Sequence, residues 1–511
     1  MANHLFDLIV SRMPANRERA FALSLPGGRS YRYQDVLDVS ARFANVLSGL
    51  GVAPGDRVAV QVEKSIEAVM VYLACVRAGA VFLPLNTAYT PAEVEYFLSD
   101  AEPAVFVCDP AKAASLAPVA AKAGAKLETL GVWSSPEASA GSLSDAALKA
   151  SPGFADVPRG ADDLAAILYT SGTTGRSKGA MLSHENLASN ARTLVEYWRF
   201  TDKDVLIHAL PIYHTHGLFV ATNVILLSGA SMHFLPRLDP ELMLSLMATS
   251  TTMMGVPTFY TRLLQHPGLT KAATKNMRLF VSGSAPLLAE THREWQARTG
   301  HAILERYGMT ETNMNTSNPY DGDRIAGTVG FPLPGVEVRV ANPETGELLT
   351  QPSEIGVLEV RGPNVFKGYW RMPEKTQAEF RDGWFITGDL GLIDARGYVQ
   401  IVGRGKDLVI TGGFNVYPKE VETEIDSIPG VIESAVIGVA HPDFGEGVTA
   451  VVVKKKDFAL TEADVTAHLA NRLAKFKQPK RVFFVDDLPR NTMGKVQKNI
   501  LRETYKTLYT A

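Results

Sequence analysis

Between Asp56 and Leu85 the chain passes from an apolar, β-branched run (DRVAVQV) to helically spaced apolar positions (SIEAVMVYLACVRAG) and back to an apolar run (AVFLPL). That order predicts strand, helix, strand. Strands apolar at consecutive positions predict a parallel sheet covered on both faces. A helix opening at Pro91 and the run PAVFVCD continue the alternation. Pro110 to Gly160 is rich in Ala and Ser, weakly patterned, and reads as surface helix and loop. Alternation resumes with VLIHALP, GASMHFLP, TTMMGVP, MRLFVSG and HAILERYG as strands, separated by helical runs such as DPELMLSLM and LAETHREWQ. So many βα units predict an α/β fold built from two doubly wound layers. After about Gly330 the texture changes to short β runs with Gly/Pro turns, which predicts a β-barrel-like lobe. Past Gly405, strands (SAVIGVA, GVTAVVVK, RVFFVDD) mix with helices (PKEVETEI, ADVTAHLANRL), as in a smaller, mobile α+β domain. The expected division is residues 1–405 and 406–511.

Composition narrows this picture. A chain of 511 residues exceeds one ordinary hydrophobic core, in line with the division above. Lys+Arg 51 against Asp+Glu 54 gives a net charge of −3, so no nucleic-acid or membrane-surface partner is expected from bulk charge. The two cysteines, Cys75 and Cys108, sit in apolar runs and read as buried free thiols. The N-terminal stretch has no basic n-region, no segment is long and apolar enough to span a bilayer, and a cytoplasmic location is expected.

The most informative local chemistry lies after the strand LAAILY. Residues 169–179, YTSGTTGRSKG, offer Thr170, Ser171, Thr173 and Thr174 as hydroxyl donors, Gly172 and Gly175 as turn formers, and Lys178 as a positive charge. Such a loop is a phosphate cradle. It is not a Walker A loop, because Ser177 stands where a glycine is needed and the helix begins only near Ser183.

This loop resembles the signature of the adenylate-forming superfamily of acyl-CoA synthetases, luciferases and nonribosomal adenylation domains. Further motifs match in the same order: YGMTE at 307–311, TGD at 387–389, GRGKD at 403–407, Gly412-Gly413, and PRNTMGK at 489–495. The resemblance implies ATP, Mg²⁺ and coenzyme A as reactants and helper ion. Lys495 is implied to stabilise charge during adenylation, with Thr310 and Glu311 beside it and Glu311 holding Mg²⁺. Asp389 and Arg404 are implied at the ribose, and Ser284, Ala285 and Pro286 as one wall of the adenine slot. Glu305, Arg306, Tyr307, Gly308 and Met309 would form the other wall. Lys406 resembles a hinge about which the smaller domain turns, exchanging the Lys495 face for the Gly412-Gly413 face on which pantetheine would pass.

The segment Pro211–Gly217 matches the pocket-lining motif of that superfamily, with His214 as a gate beside the acyl group. A metal site of His214 and His216 is not supported, because no third ligand is apparent. Over its full length the sequence is most similar to the malonyl-CoA synthetases, which implies malonate as the acid. A second carboxylate in a dry pocket needs a cation, and an arginine fork suits it. Arg262 is the first choice for that partner and Arg293 the second, with Thr215 and Met314 flanking the middle carbon. Another short acid such as methylmalonate or acetate, a carrier-loading or luciferase-like reaction, and a non-catalytic adenylate binder are the alternatives. The PRNTMGK stretch further resembles segments whose lysine is acylated, which would make a lysine-acylating enzyme a partner acting on Lys495.

Overall fold

The computed structural model describes residues 3–133, 141–170, 177–411, 414–470, 472–473, 475–491 and 494–509, without the side chain of Asn415. The alternation becomes two large sheets. One has six strands in the order Lys126–Thr129, Val105–Cys108, Arg57–Gln61, Val81–Pro84, Leu164–Thr170 and Lys178–Ser183. All its pairings are parallel except the last, an antiparallel hairpin. The other has nine strands. Its parallel centre runs Ala20–Ser24, Ser231–Phe234, Val205–His208, Thr252–Gly255, Leu279–Ser282 and Leu304–Met309.

The helix Ile66–Ala78 is buried at every residue, as expected for a helix apolar all round. Its Tyr72 touches Phe82 of the six-stranded sheet and Phe219, which follows a strand of the nine-stranded one. Ser65 caps its start by accepting from Ala68 N, and Gly79, at φ 70°, ends it in the left-handed region. Two charges share this burial because both are paired: Glu67 accepts from Tyr31 OH at 2.5 Å, and Arg77 Nε lies 2.6 Å from Asp156.

Two details differ from the pattern. Lys126–Thr129 is a strand inside the segment read as helix and loop; it lies at a sheet edge, and its polar, half-exposed residues carry no apolar alternation. The lobe expected to be barrel-like is an open antiparallel sheet of Glu337–Ala341, Gly356–Arg361, Trp384–Ile393, Phe380–Arg381 and Val399–Arg404. Its described strands do not close on themselves. From Val409 onward five strands make a further sheet, with Gly445–Lys454 between Val431–His441 and the parallel strand Arg481–Val485. Two apolar clusters cover this sheet, one around Val421, Ile425 and Val448, the other around Ile437, Val451 and Leu501. No described helix is long and apolar enough to cross a membrane.

Candidate active site

The strand Leu304–Met309 turns into Asn313–Ser317, and this hairpin carries the densest set of expected site residues. The crossing needs glycine: a Cβ on Gly308 would lie 1.9 Å from Asn313 O and 2.6 Å from Met314 Cε. Met314 is buried over that gap. Met309 and Thr310 are half-buried where the turn begins. Glu311 is buried, and its carbonyl accepts from Phe366 N at 2.8 Å.

Glu311 Oε1 accepts from Tyr369 OH at 3.0 Å, and the same hydroxyl reaches Glu379 Oε2 at 2.6 Å. Lys178 Nζ donates to Glu379 Oε1 at 3.0 Å and lies 4.0 Å from the centroid of the Tyr369 ring. The lysine expected to meet phosphate is therefore anchored by a carboxylate. Burial raises the pKa of Glu311, opposed by hydrogen bonding, Arg404 and Lys178. A cation beside it would favour the ionised form. Glu311 is the hard oxygen ligand that would suit a Mg²⁺ ion, which would supply positive charge there. Among the described residues no three His, Cys, Asp or Glu side chains converge to hold a metal by themselves.

Asp389 lies on the long strand Trp384–Ile393, opposite Arg404 in register. Tyr307 OH donates to its Oδ2 at 2.6 Å, and Arg404 Nε is 2.6 Å from Oδ1. Each oxygen keeps a further lone pair, so the carboxylate can still accept two ribose hydroxyls. Glu305 accepts from Leu287 N at 3.2 Å through Oε1, while its buried Oε2 has no partner among the described residues. Burial lifts this carboxyl to about 8, against its hydrogen bond and the nearby Lys419 and Arg306. Ser284, Ala285 and Pro286 follow the strand Leu279–Ser282 in a loop, Pro286 exposed and the other two half-buried.

Lys495 is brought into this cluster from the far end of the chain. Its loop is closed by Lys495 N donating to Asn491 Oδ1 and Asn491 N donating to Lys495 O, both at 2.9 Å. A Cβ on Gly494 would lie 3.4 Å from Thr258 Cγ2, so the loop rests against the start of the helix Pro257–Leu264. Solvent still reaches the Lys495 side chain, although protein crowds round it. That crowding, then Arg404, lowers its ammonium to about 8, while Asp389 and Glu311 oppose the shift. Lys406 stands exposed in the single turn Gly405–Asp407, between Val399–Arg404 and Val409–Thr411. Crowding and Arg404 bring it, too, to about 8. Its neighbour Asp407 pairs with Arg502 at 2.6 Å.

The segment expected to line an acyl pocket begins after the strand Val205–His208. The His216 peptide N–H reaches His214 Nδ1 at 3.4 Å, and because a peptide N–H only donates, the His214 proton belongs on Nε2. Burial, then Lys495 and Arg306, takes His214 to about 3, so the ring is neutral. His216–Thr222 is a π-helix, a form concentrated at functional sites, which the sequence pattern did not signal. Behind it Lys64 Nζ donates to His208 Nδ1 at 3.0 Å and to His208 O at 2.8 Å, and His208 Nε2 donates to Gly217 O at 2.9 Å. These bonds tie the loop to the end of the six-stranded sheet.

The expected arginines differ in burial. Arg262 is exposed on Pro257–Leu264, whose packed face is Phe259, Tyr260, Leu263 and Leu264. Arg293 is exposed on Ala289–Thr299, which packs through His292 and Trp295. Both side chains are solvent-exposed, and Arg262 lies one helical turn from Thr258, against which the Lys495 loop rests. Arg306, expected at the nucleotide, is instead 3% exposed, and its Nε and Nη2 have no partner among the described residues. Gly283 makes room for it, since a Cβ there would lie 2.4 Å from Arg306 Cζ. Burial pulls this guanidinium to about 9, against Tyr260 and Glu305, so it is still a cation at neutral pH. Thr215 Oγ1 and His216 Nε2 are buried and unpartnered in the same sense. The legible signal was an arginine in the short strand LERYGM, where a charge needs a reason.

Thr170 ends the strand Leu164–Thr170 and Lys178 opens the next, so both flank the expected phosphate loop. Ser171, Gly172, Thr173, Thr174 and Gly175, like Gly412 and Gly413, lie outside the described residues.

Comparison with known proteins gives a consistent picture. A family model described as AMP-binding enzyme matches residues 10–370, and one described as AMP-binding enzyme C-terminal domain matches 420–495. A feruloyl-CoA synthase from an Amycolatopsis species is 38% identical, over 94% of this chain and 95% of its own. A malonate–CoA ligase from Arabidopsis thaliana is 33% identical, over 93% of this chain and 85% of its own. The crystal structure of ATP-bound MatB from Rhodopseudomonas palustris superposes with a TM-score of 0.96 at 65% identity, covering all of both chains.

Proposed function

We propose, on the premise that this chain belongs to the family of AMP-binding enzymes, that it ligates malonate to coenzyme A with ATP, releasing AMP and pyrophosphate. Arg306 carries the choice of acid. It is a buried cation with two donors on one edge that have no partner among the described residues, and an unpaired buried charge costs about 3–5 kcal/mol. An aryl acid of the kind named for the Amycolatopsis enzyme would leave it so. The second carboxylate of malonate would satisfy it, in keeping with the acid named for the Arabidopsis relative.

In the first half-reaction a malonate oxygen attacks the α-phosphorus of ATP and pyrophosphate leaves. Asp389 and Arg404 hold the ribose, Tyr307 and the Ser284–Pro286 loop flank the base, and the 170–178 loop meets the phosphates. Lys495 delivers its ammonium to the oxygens on which charge grows. Mg²⁺, where bound, neutralises phosphate oxygens, and Glu311 is the residue that would hold it. In the second half-reaction the CoA thiol attacks the acyl carbon, AMP leaves, and the thiol proton passes to solvent or phosphate. For this step residues 406–511 turn about Lys406, removing Lys495 and presenting the Gly412-Gly413 face.

Pyrophosphate release measured with malonate, methylmalonate, acetate and a small aryl acid tests the reading. With CoA present, malonate should exceed the best monocarboxylate by at least about tenfold in kcat/KM; a monocarboxylate ahead of malonate overturns it. Lys495 is also our candidate for control by a lysine-acylating enzyme, since its solvent-reached ammonium loses its proton more readily than an ordinary lysine. Mass spectrometry of the protein from cells should find a fraction acylated at Lys495, and protein always unmodified there removes the idea.

A further inference from the structure

We infer that Glu433 and Arg490 are positioning residues for adenylation: their ion pair holds the Lys495 loop in its working shape within residues 406–511. The inference rests on the reading of Lys495 given above and adds two residues that act through it rather than on substrate. Arg490 Nη1 donates to Gly494 O at 2.7 Å, and Arg490 Nη2 pairs with Glu433 Oε2. The carbonyl so held belongs to the peptide bond that leads into Lys495.

A β-bulge aims Glu433. In the strand Val431–His441, Val431 stands opposite Lys454 and Glu433 opposite Val453, so Ile432 is one residue in excess. Strict alternation would put Val431 and Glu433 on one face of the sheet. Instead Val431 packs with Val421 and Ile425. Ala435 and Ile437, which alternate with Glu433, pack on the other face with Leu488 and Leu501. Those two leucines flank the segment 489–497, so the bulge turns the carboxylate toward it and leaves Ile432 exposed.

The loop itself is closed at its base. Arg490 and Val496 form an antiparallel bridge, and Gln497 N donates to Pro489 O at 2.7 Å. Arg490 then reaches from the base to Gly494, which holds φ at 73° in the left-handed region. Without Glu433 the half-buried guanidinium loses its charge partner and is free to turn to water, and Gly494 O loses its donor. Glu433, Arg490, Asn491 and Gly494 all lie within residues 406–511, so the loop keeps its shape as that segment turns. The ammonium then arrives preset, and a misplacement of about 1 Å is enough to cost on the order of 10²-fold in rate.

The test separates the half-reactions in wild type, Glu433→Ala, Arg490→Met, Arg490→Lys, Lys495→Ala and the double variant Glu433→Ala/Lys495→Ala. Malonate-dependent exchange of pyrophosphate into ATP should fall about tenfold or more in Glu433→Ala and Arg490→Met, through kcat and with the KM for ATP and malonate little changed. Conversion of preformed malonyl-adenylate and CoA to the thioester should stay within about twofold of wild type, since Lys495 plays no part in it. Arg490→Lys, which keeps a cation beside Glu433, should recover part of the exchange. On the Lys495→Ala background Glu433→Ala should cost little more, because the ammonium it positions is already gone. The ratio of the two half-reactions is internal to each preparation, so partial unfolding does not imitate the effect. Equal losses in both half-reactions, a loss confined to the KM for ATP, or a full further loss in the double variant overturns the inference. Wild-type exchange in Lys495→Ala alone would instead remove the reading of Lys495 beneath it.

Discussion

Replacing Lys495 with alanine is expected to slow adenylation, measured as malonate-dependent exchange of pyrophosphate into ATP, by about 10²–10³-fold, the usual loss for one preorganised donor to developing charge. Conversion of preformed malonyl-adenylate and CoA to the thioester should change far less, because in the proposed second conformation Lys495 has left the site. Losses of similar size in both half-reactions would show that Lys495 is a structural residue instead. The wild-type enzyme supplies a companion readout. The ammonium is the active form and its pKa lies at about 8 in the free protein. The kcat/KM for adenylation should therefore hold below pH about 8 and fall above it. Lys495→Arg, whose cation does not titrate in this range, should lose that falling limb even if its rate is lower.

Arg306→Ala carries the second large effect. The variant removes a cation from a dry pocket and leaves the distal carboxylate of malonate there uncompensated. Truncating one member of a buried charge pair costs about 2–5 kcal/mol, roughly 30- to 4,000-fold in malonate kcat/KM. Short monocarboxylates should move the other way relative to malonate, since the truncated pocket no longer contains a charge they cannot satisfy. Arg306→Lys should recover little, because an ammonium offers a point charge where the Nε and Nη2 edge offers two parallel bonds. Arg262→Ala, at an exposed position, should cost malonate use less than Arg306→Ala does. A malonate defect in Arg262→Ala without one in Arg306→Ala would reverse our assignment.

These residues mark where the sequence was legible and where it was not. The sheets were, because strand runs such as VFVC and the helix Ile66–Ala78 write their burial into local periodicity. The open third lobe was not, because closure depends on which strands pair, and TGD and GRGKD look the same in an open sheet or a barrel. The exposure of Arg262 was not legible, because a helix of eight residues has too few apolar positions to fix its phase by eye. Arg306 was named with the nucleotide residues: strand alternation places its side chain opposite those of its neighbours Glu305 and Tyr307, and folding buries Glu305 and Arg306 alike. The pairing of Glu433 with Arg490 spans 57 positions of sequence and rests on a bulge that no pattern announces.

The π-helix after His216 has a consequence for how such a pocket can change. Its hydrogen bonds span one more residue than those of an α-helix, so the loop before it is wound out of phase with the α-helix Asn223–Ser228 that continues the chain. Losing a single residue there would restore ordinary winding and swing His214, Thr215 and His216 by about 100°, one α-helical step. A lineage could thus exchange the polar wall of its pocket for a different one by a one-codon deletion, leaving every packed strand beneath it in place.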